Sequence, residues 1–214
     1  MSNLPIAQPS KNARDVYEVT GAILESVPGG SVVKKFADIY LNRRIDAALK
    51  LLVEEIKNSG IQVLTDAQYE YYLPSAYRFA EQVRLGEYEH NLKILRNIII
   101  DGLKNNRMDS GKVGRNARQL ENLTEFELSV LVACSEIATM SKSVSLLFIS
   151  SNSIVQNTSS FKSSNREDIK CALSVLYSRG LLFADGTTRY DKDEEYFFLT
   201  HAAVEIIEMA GTQV

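Results

Sequence analysis

The sequence predicts a mainly helical protein in two parts, a helical bundle followed by a second domain that adds a short β-hairpin to its helices. Three observations support this fold class. Apolar residues recur at helical spacing through most of the first half of the 214-residue chain. A polar, glycine-bearing and basic stretch, residues 107–119, separates that half from the rest. Near the C-terminus, two short apolar runs flank an Asp185-Gly186 turn, which is typical of a hairpin.

The first half is expected to fold as a bundle of four amphipathic helices over residues 12–106, because the connections between the apolar patterns are short. Residues 1–11 hold two prolines and few apolar residues, so they are expected to fray or stay disordered. Pro74 lies inside the third helical pattern and predicts a kink or a later start. Residues 107–119 are assigned to an inter-domain linker. Helix breaks are predicted at Pro28-Gly29-Gly30, Asn58-Ser59-Gly60 and Leu85-Gly86.

Residues 120–214 are predicted to form the second domain. Two helix starts are marked by the S/T-x-x-E spacing of a capping box, one at Thr124 and one at Ser164. Gly180 is expected to end the second of these helices in a left-handed conformation, and Thr200 is expected to cap the last helix. The serine-rich stretch 141–164 has no assignable structure.

Composition and charge narrow the possible functions. With 45% hydrophobic residues the chain can bury real cores without metals or disulfides. Cys134 and Cys171 both lie among apolar residues in helical patterns, so we expect small buried hydrophobic side chains rather than a disulfide framework. No apolar stretch is long enough for a membrane span and no signal peptide is evident, so we expect a soluble, cytoplasmic chain. Residues 1–119 carry 17 Lys and Arg against 14 Asp and Glu, whereas residues 120–214 carry 7 against 13.

Three motifs, LTEFELSVL, DIKCALSVLYSRGLL and YFFLTHAAVEII, carry a resemblance to a winged-helix domain across about residues 120–211. Taken with the upstream motif NLKILRNIIIDGL, the whole chain resembles the Abi-alpha type family, a set of poorly characterised bacterial proteins, although the serine-rich insert departs from that pattern. This resemblance implies a setting in bacterial defence against phage. It assigns no functional residue.

A winged helix often binds DNA, and the residues that would do so here are Arg115, Arg118, Arg166, Lys170, Tyr177 and Arg189. The predicted hairpin loop opposes this interpretation, because its Asp and Glu residues outnumber its Lys and Arg residues and would repel phosphate. A DNA-binding transcriptional regulator is therefore the alternative hypothesis.

Four tyrosines crowd the third predicted helix, Tyr69, Tyr71, Tyr72 and Tyr77. Successive helical residues point about 100° apart, so these side chains cannot all face one core. Tyrosine is enriched at protein interfaces because its ring and hydroxyl serve both apolar and polar contacts. The segment therefore predicts a surface for a protein partner or a homo-oligomer.

Candidate catalytic and metal-binding groups are few. His90 and His201 are the only histidines, and neither has a cysteine or carboxylate set at the spacing of a metal site. We therefore expect no enzyme activity, no cofactor and no metal. The favoured hypothesis is a non-catalytic protein-interaction or regulatory protein.

Overall fold

The structure is a computed structural model that describes residues 14–15, 32–141, 148–184 and 196–211. Over these ranges the chain is mainly helical, as predicted, with a small two-stranded antiparallel sheet near the C-terminus. The described residues divide into two compact units. The first unit contains those up to Glu87 together with Leu95–Ala117, and the second contains Tyr88–Ile94 together with those from Arg118 onward.

The first unit is built from short strands and long helices, namely β1 (Arg14–Asp15), α1 (Val32–Asn58), β2 (Val63–Leu64), α2 (Asp66–Leu85), most of α3 (Glu89–Lys104) and most of α4 (Ser110–Leu120). Strands β1 and β2 pair antiparallel, with Arg14 opposite Leu64. Arg14 and Asp15 lie in the segment predicted to form the first helix of the bundle, and they form a strand instead. The rest of that predicted helix lies outside the described residues. The largest fully buried side chains of this unit include Leu49, Leu52, Ile56, Tyr72 and Phe79. Helices α1 and α2 therefore supply much of its core.

Helix α2 has the boundaries that its sequence predicts. Thr65 forms a capping box with Gln68 at its start, and Gly86 ends it at a φ of 84°. The helix continues through the exposed Pro74, so the proline does not shift its start. One residue later, the Ser75 hydroxyl donates a hydrogen bond of 2.7 Å to the Tyr71 carbonyl.

Most of the stretch assigned to a linker is helical. Asp109 Oδ1 accepts a hydrogen bond from the Lys112 backbone N–H at 3.0 Å and so caps the start of α4. Val113, Ala117 and Leu120, which follow at helical spacing, are buried. The polar and glycine-rich composition pointed to a loop, but this apolar spacing and the cap decide the local structure.

The second unit packs helices around a small sheet. After the first residues of α3 and the last of α4, its elements are α5 (Glu125–Ser141), α6 (Ser151–Asn157), a 3-10 turn (Ser159–Phe161), α7 (Arg166–Ser178), β3 (Leu182–Ala184), β4 (Phe197–Leu199) and α8 (His201–Gly211). Strands β3 and β4 pair antiparallel with Leu182 opposite Leu199, and Ile149 forms a further antiparallel bridge with Phe197. Helix α5 packs against α6, α7, α8 and β4.

Local capping interactions fix the helix ends of this unit. The predicted capping box at Thr124 is present, with the Thr124 N–H donating to Glu127 Oε2 at 2.7 Å. The box predicted at Ser164 is wrong by one residue, because Asn165 caps α7 instead and its side chain accepts a backbone N–H at 3.2 Å. Gly180 has the expected positive φ, 71°.

The serine-rich stretch, for which the sequence alone predicts no structure, contains α6. Ser150 and Ser153 form a capping box at the start of this helix, and both residues are buried. Within the ranges that the structure describes, no helix is both long enough and apolar enough to span a membrane.

We predict that Gly102→Ala destabilises the protein, because a β-carbon at this position in α3 would overlap the Tyr71 side chain. Forcing atoms into a packed core costs roughly 1–3 kcal/mol of unfolding free energy. Gly114→Ala, in α4, is the control: the nearest atom to its β-carbon would be Arg78 Nε at 3.7 Å, so it is expected to be neutral or slightly stabilising. Chemical denaturation followed by circular dichroism measures both. Equal stabilities for the two variants would contradict the packing of Tyr71 on Gly102.

We also predict that the two cysteines differ in reactivity. Burial raises the pKa of the Cys134 thiol to about 12. Cys171 is exposed on α7, so the expectation that both cysteines are buried is wrong for Cys171. The thiolate is the reactive species, so a maleimide should label one thiol in the folded protein and the second only after unfolding. Mass spectrometry of tryptic peptides should place the fast label on Cys171, and Cys171→Ser should abolish it. Fast labelling of Cys134 in the folded protein would show that it is not in the core.

Candidate functional site

The four tyrosines of α2 do not form one surface. Tyr71 and Tyr72 lie in the core of the first unit, 4% and 0% exposed. The Tyr71 hydroxyl donates to the backbone carbonyls of Ile98 and Ile99, at 3.4 Å from each. Tyr77 is 53% exposed, and Tyr69 is half-buried. The predicted interface therefore loses Tyr71 and Tyr72, because the packing of the first unit needs the face of α2 on which they lie.

The residues predicted to bind nucleic acid on α7 reach the surface, but their cations have partners within the protein. Lys170 Nζ pairs with Glu167 Oε1 at 3.1 Å, and Arg166 Nε donates to the Ser151 hydroxyl at 3.1 Å. Tyr177 is 51% exposed. Glu167 and Asp168 offset the charges of Arg166 and Lys170, so α7 carries no net side-chain charge.

The remaining residues of that predicted set are Arg115, Arg118 and Arg189. Arg115 belongs to the first unit and pairs with Asp109, with 3.5 Å between its Nη2 and Oδ2 of the carboxylate. Arg118 belongs to the second unit, where its backbone carbonyl accepts a hydrogen bond from Arg179 Nη1 at 3.3 Å. Arg189 lies outside the described residues.

A different group of aromatic side chains crosses the small sheet of the second unit. Phe183 on β3 stacks on Phe198 of β4, with ring centroids 5.2 Å apart. Phe198 meets Phe148 edge-on at 5.9 Å, and Phe148 meets Tyr196 at 5.3 Å. We call these four residues the aromatic row.

Strand alternation places the aromatic row on the side of the sheet away from the core. Leu182 and Phe197 point inward and are 2% and 4% exposed. Their neighbours Phe183 and Phe198 point to the opposite face, since successive side chains of a strand alternate. Phe183 is 49% exposed, and the other three members of the row are half-buried.

The inner face of the sheet holds the row in place. Phe197 packs against Tyr177 of α7, with 6.0 Å between the ring centroids, and its N–H donates to the Ile149 carbonyl at 2.9 Å. At the other end of β4, the Thr200 N–H donates to the Leu181 carbonyl at 3.1 Å. The row therefore lies on one face of a hydrogen-bonded sheet, and the opposite face of that sheet is buried in the core.

The chemistry of the aromatic row suits binding. Its members are three phenyl rings and one phenol, and these groups offer apolar contact area and ring faces that attract cations. An array of this kind supplies no general base and no nucleophile at neutral pH.

Two members of the aromatic row, Tyr196 and Phe198, could be predicted from the sequence. The run Tyr196-Phe197-Phe198 predicts a strand with aromatic side chains on both faces. Phe148 could not be assigned, because its place in the row depends on pairing between Ile149 and a strand 48 residues further along the chain.

Comparisons with known protein families, with curated proteins and with solved structures find no match for this chain. Its resemblances to the winged-helix and Abi-alpha type proteins therefore stand on the sequence motifs.

Proposed function

We propose that the second unit is a winged-helix domain. The order of its elements supports this proposal, because α5, α6 and α7 precede a hairpin, β3 and β4, and α8 follows it. The bridge between Ile149 and Phe197 supports it further, since it brings the chain between α5 and α6 alongside β4 as a third strand position.

We further propose that this domain acts by binding a protein partner and has no catalytic role. The aromatic row is the observation that carries this proposal. Aromatic side chains bury large areas at interfaces at a low cost in conformational entropy, and they are enriched among the residues that dominate binding energy. Phe183, the most exposed member of the row, would be the centre of such a contact.

The charge of the chain favours a basic protein as the partner. Residues 120–214 hold 13 Asp and Glu against 7 Lys and Arg. Two copies of this domain meeting through the same face would bring like charges together, which opposes self-association. A partner with Lys or Arg near its apolar contact residues would bind more tightly, because its cations would be attracted by the acidic domain and by the ring faces of the row.

Phe183→Ser tests this function with Tyr88→Ser as the matched control, since both rings are 49% exposed in the second unit but only Phe183 belongs to the row. The wild-type chain is used to capture its partner from its own cells, and the purified partner is then titrated calorimetrically against each variant. Loss of a central aromatic contact costs about 2 kcal/mol, so we expect roughly thirtyfold weaker binding for Phe183→Ser and little change for Tyr88→Ser. Failure to capture any partner, or equal affinities of wild type and Phe183→Ser, would count against the proposal.

DNA binding by α7 is the second candidate function, and the winged-helix order together with the exposed Tyr177 favours it. Because Glu167 and Asp168 offset the charges of Lys170 and Arg166 and the domain is acidic, we expect no binding to duplex DNA at low salt. Fluorescence anisotropy with labelled random-sequence duplex measures this directly. Binding that weakens steeply with salt and is reduced by Lys170→Ala would establish the second candidate in place of the first.

A further inference from the structure

A cleft of about 440 Å³ opens on the second unit between α5 and the chain that joins α6 to α7. Its volume lies in the range of sites that bind small ligands or short peptides. The aromatic row contributes no residue to it.

One end of the cleft is apolar. Phe126 of α5 and Phe161 of the 3-10 turn meet edge-on, with 5.9 Å between ring centroids and 67° between ring planes. Phe161 is buried, whereas Phe126 remains 39% exposed and Val132, further along the cleft wall, remains 40% exposed. An apolar group entering here would cover surface that the protein leaves open to water, which favours its binding.

The other end of the cleft is acidic. Glu136 is exposed and is the one charged side chain among the described residues that line it. It lies ten residues after Phe126 on α5, which is about 15 Å along a helix at 1.5 Å per residue. A molecule that fills the cleft therefore meets phenyl rings at one end and a carboxylate at the other.

The wall opposite α5 is lined with hydroxyl groups. Thr158, Ser160 and Ser164 contribute to it. Thr158 is 5% exposed, and its Oγ1 is buried without a hydrogen-bond partner in the part of the chain that the structure describes. Buried hydroxyls are normally paired, so a polar group delivered to this wall would satisfy an oxygen that the protein leaves unpaired.

We propose that this cleft binds an extended peptide segment with an apolar residue at one end and a lysine or arginine about four residues away. An extended chain advances about 3.3–3.6 Å per residue, so four residues match the distance from Phe126 to Glu136. The peptide backbone supplies donors and acceptors for the hydroxyl wall, and the carboxylate selects the basic side chain. Because it uses other residues, the cleft does not depend on the function proposed for the aromatic row.

The test uses the ¹⁵N-labelled full-length chain and two synthetic peptides, acetyl-Phe-Ser-Ser-Ser-Lys-amide and the same peptide with Glu in place of Lys. We expect the Lys peptide to cause saturable shifts in the amide resonances of residues that line the cleft, Val132 and Ser160 among them. We expect the Glu peptide to bind at least severalfold more weakly, because it places two carboxylates together. Equal binding of both peptides, or the absence of saturable shifts at the cleft, would overturn the proposal.

Glu136→Gln and Glu125→Gln form a matched pair of variants, since both carboxylates are exposed on α5 and only Glu136 lines the cleft. Glu136→Gln should weaken the Lys peptide about two- to fivefold, the range that an exposed ion pair supports, whereas Glu125→Gln should leave its affinity unchanged. Equal effects of the two variants would overturn the role of Glu136.

Phenylbutylamine serves as a small-molecule probe, and binding as tight as that of the Lys peptide would assign the cleft to free amines instead.

Discussion

The pairing of β4 with its two neighbours is the constraint on which the second unit depends. β3 fixes the register of β4 through Leu182 and Leu199, and the hydrogen bond from Phe197 to Ile149 fixes its other edge. Because side chains alternate along a strand, this register sends Phe197 into the core and Phe198 to the opposite face. A slip of one residue would exchange the two faces of β4, so that Tyr196 and Phe198 would leave the aromatic row and turn toward the core.

Among the described residues, the helices of the second unit pack on the inner face of this arrangement. Helix α5 packs against three other helices and against β4, and its Val130, Leu131, Cys134 and Ile137 are buried. Thr200 joins the end of β4 to the turn before β3, since its hydroxyl donates to the Gly180 and Leu181 carbonyls at 3.0 and 3.1 Å. The core and its caps therefore explain why the sheet forms, but they do not require phenyl rings on its outer face. We propose that the aromatic side chains at those positions contact another molecule, and the acidic composition favours a basic protein over a nucleic acid in that proposal.

Interactions local in sequence could be predicted, whereas those between distant residues could not. The cap at Thr124 and the left-handed Gly180 follow from a few neighbouring residues, and the structure has both. The sequence did not predict α4, because the stretch is rich in glycine and charged residues, which is typical of a loop. The helical spacing of Val113, Ala117 and Leu120 is recognisable once the structure shows that all three are buried. The sequence correctly excludes that all four tyrosines of α2 face one core, but it places Tyr71 and Tyr72 on an interface, whereas the structure buries both. Which tyrosines are buried depends on the rest of the first unit. The aromatic row needed Phe148 and Phe183, 35 positions apart in sequence, to lie on one sheet.

Hydrogen–deuterium exchange of the chain, alone and bound to its captured partner, tests the central claim most directly. If the aromatic row is the contact surface, binding should slow exchange in Leu182–Ala184 and Phe197–Leu199 and leave the exposed face of α7 unchanged. Protection that appears on α7 around Lys170 and Tyr177, with the strands unaffected, would contradict the account and assign partner binding to the helix.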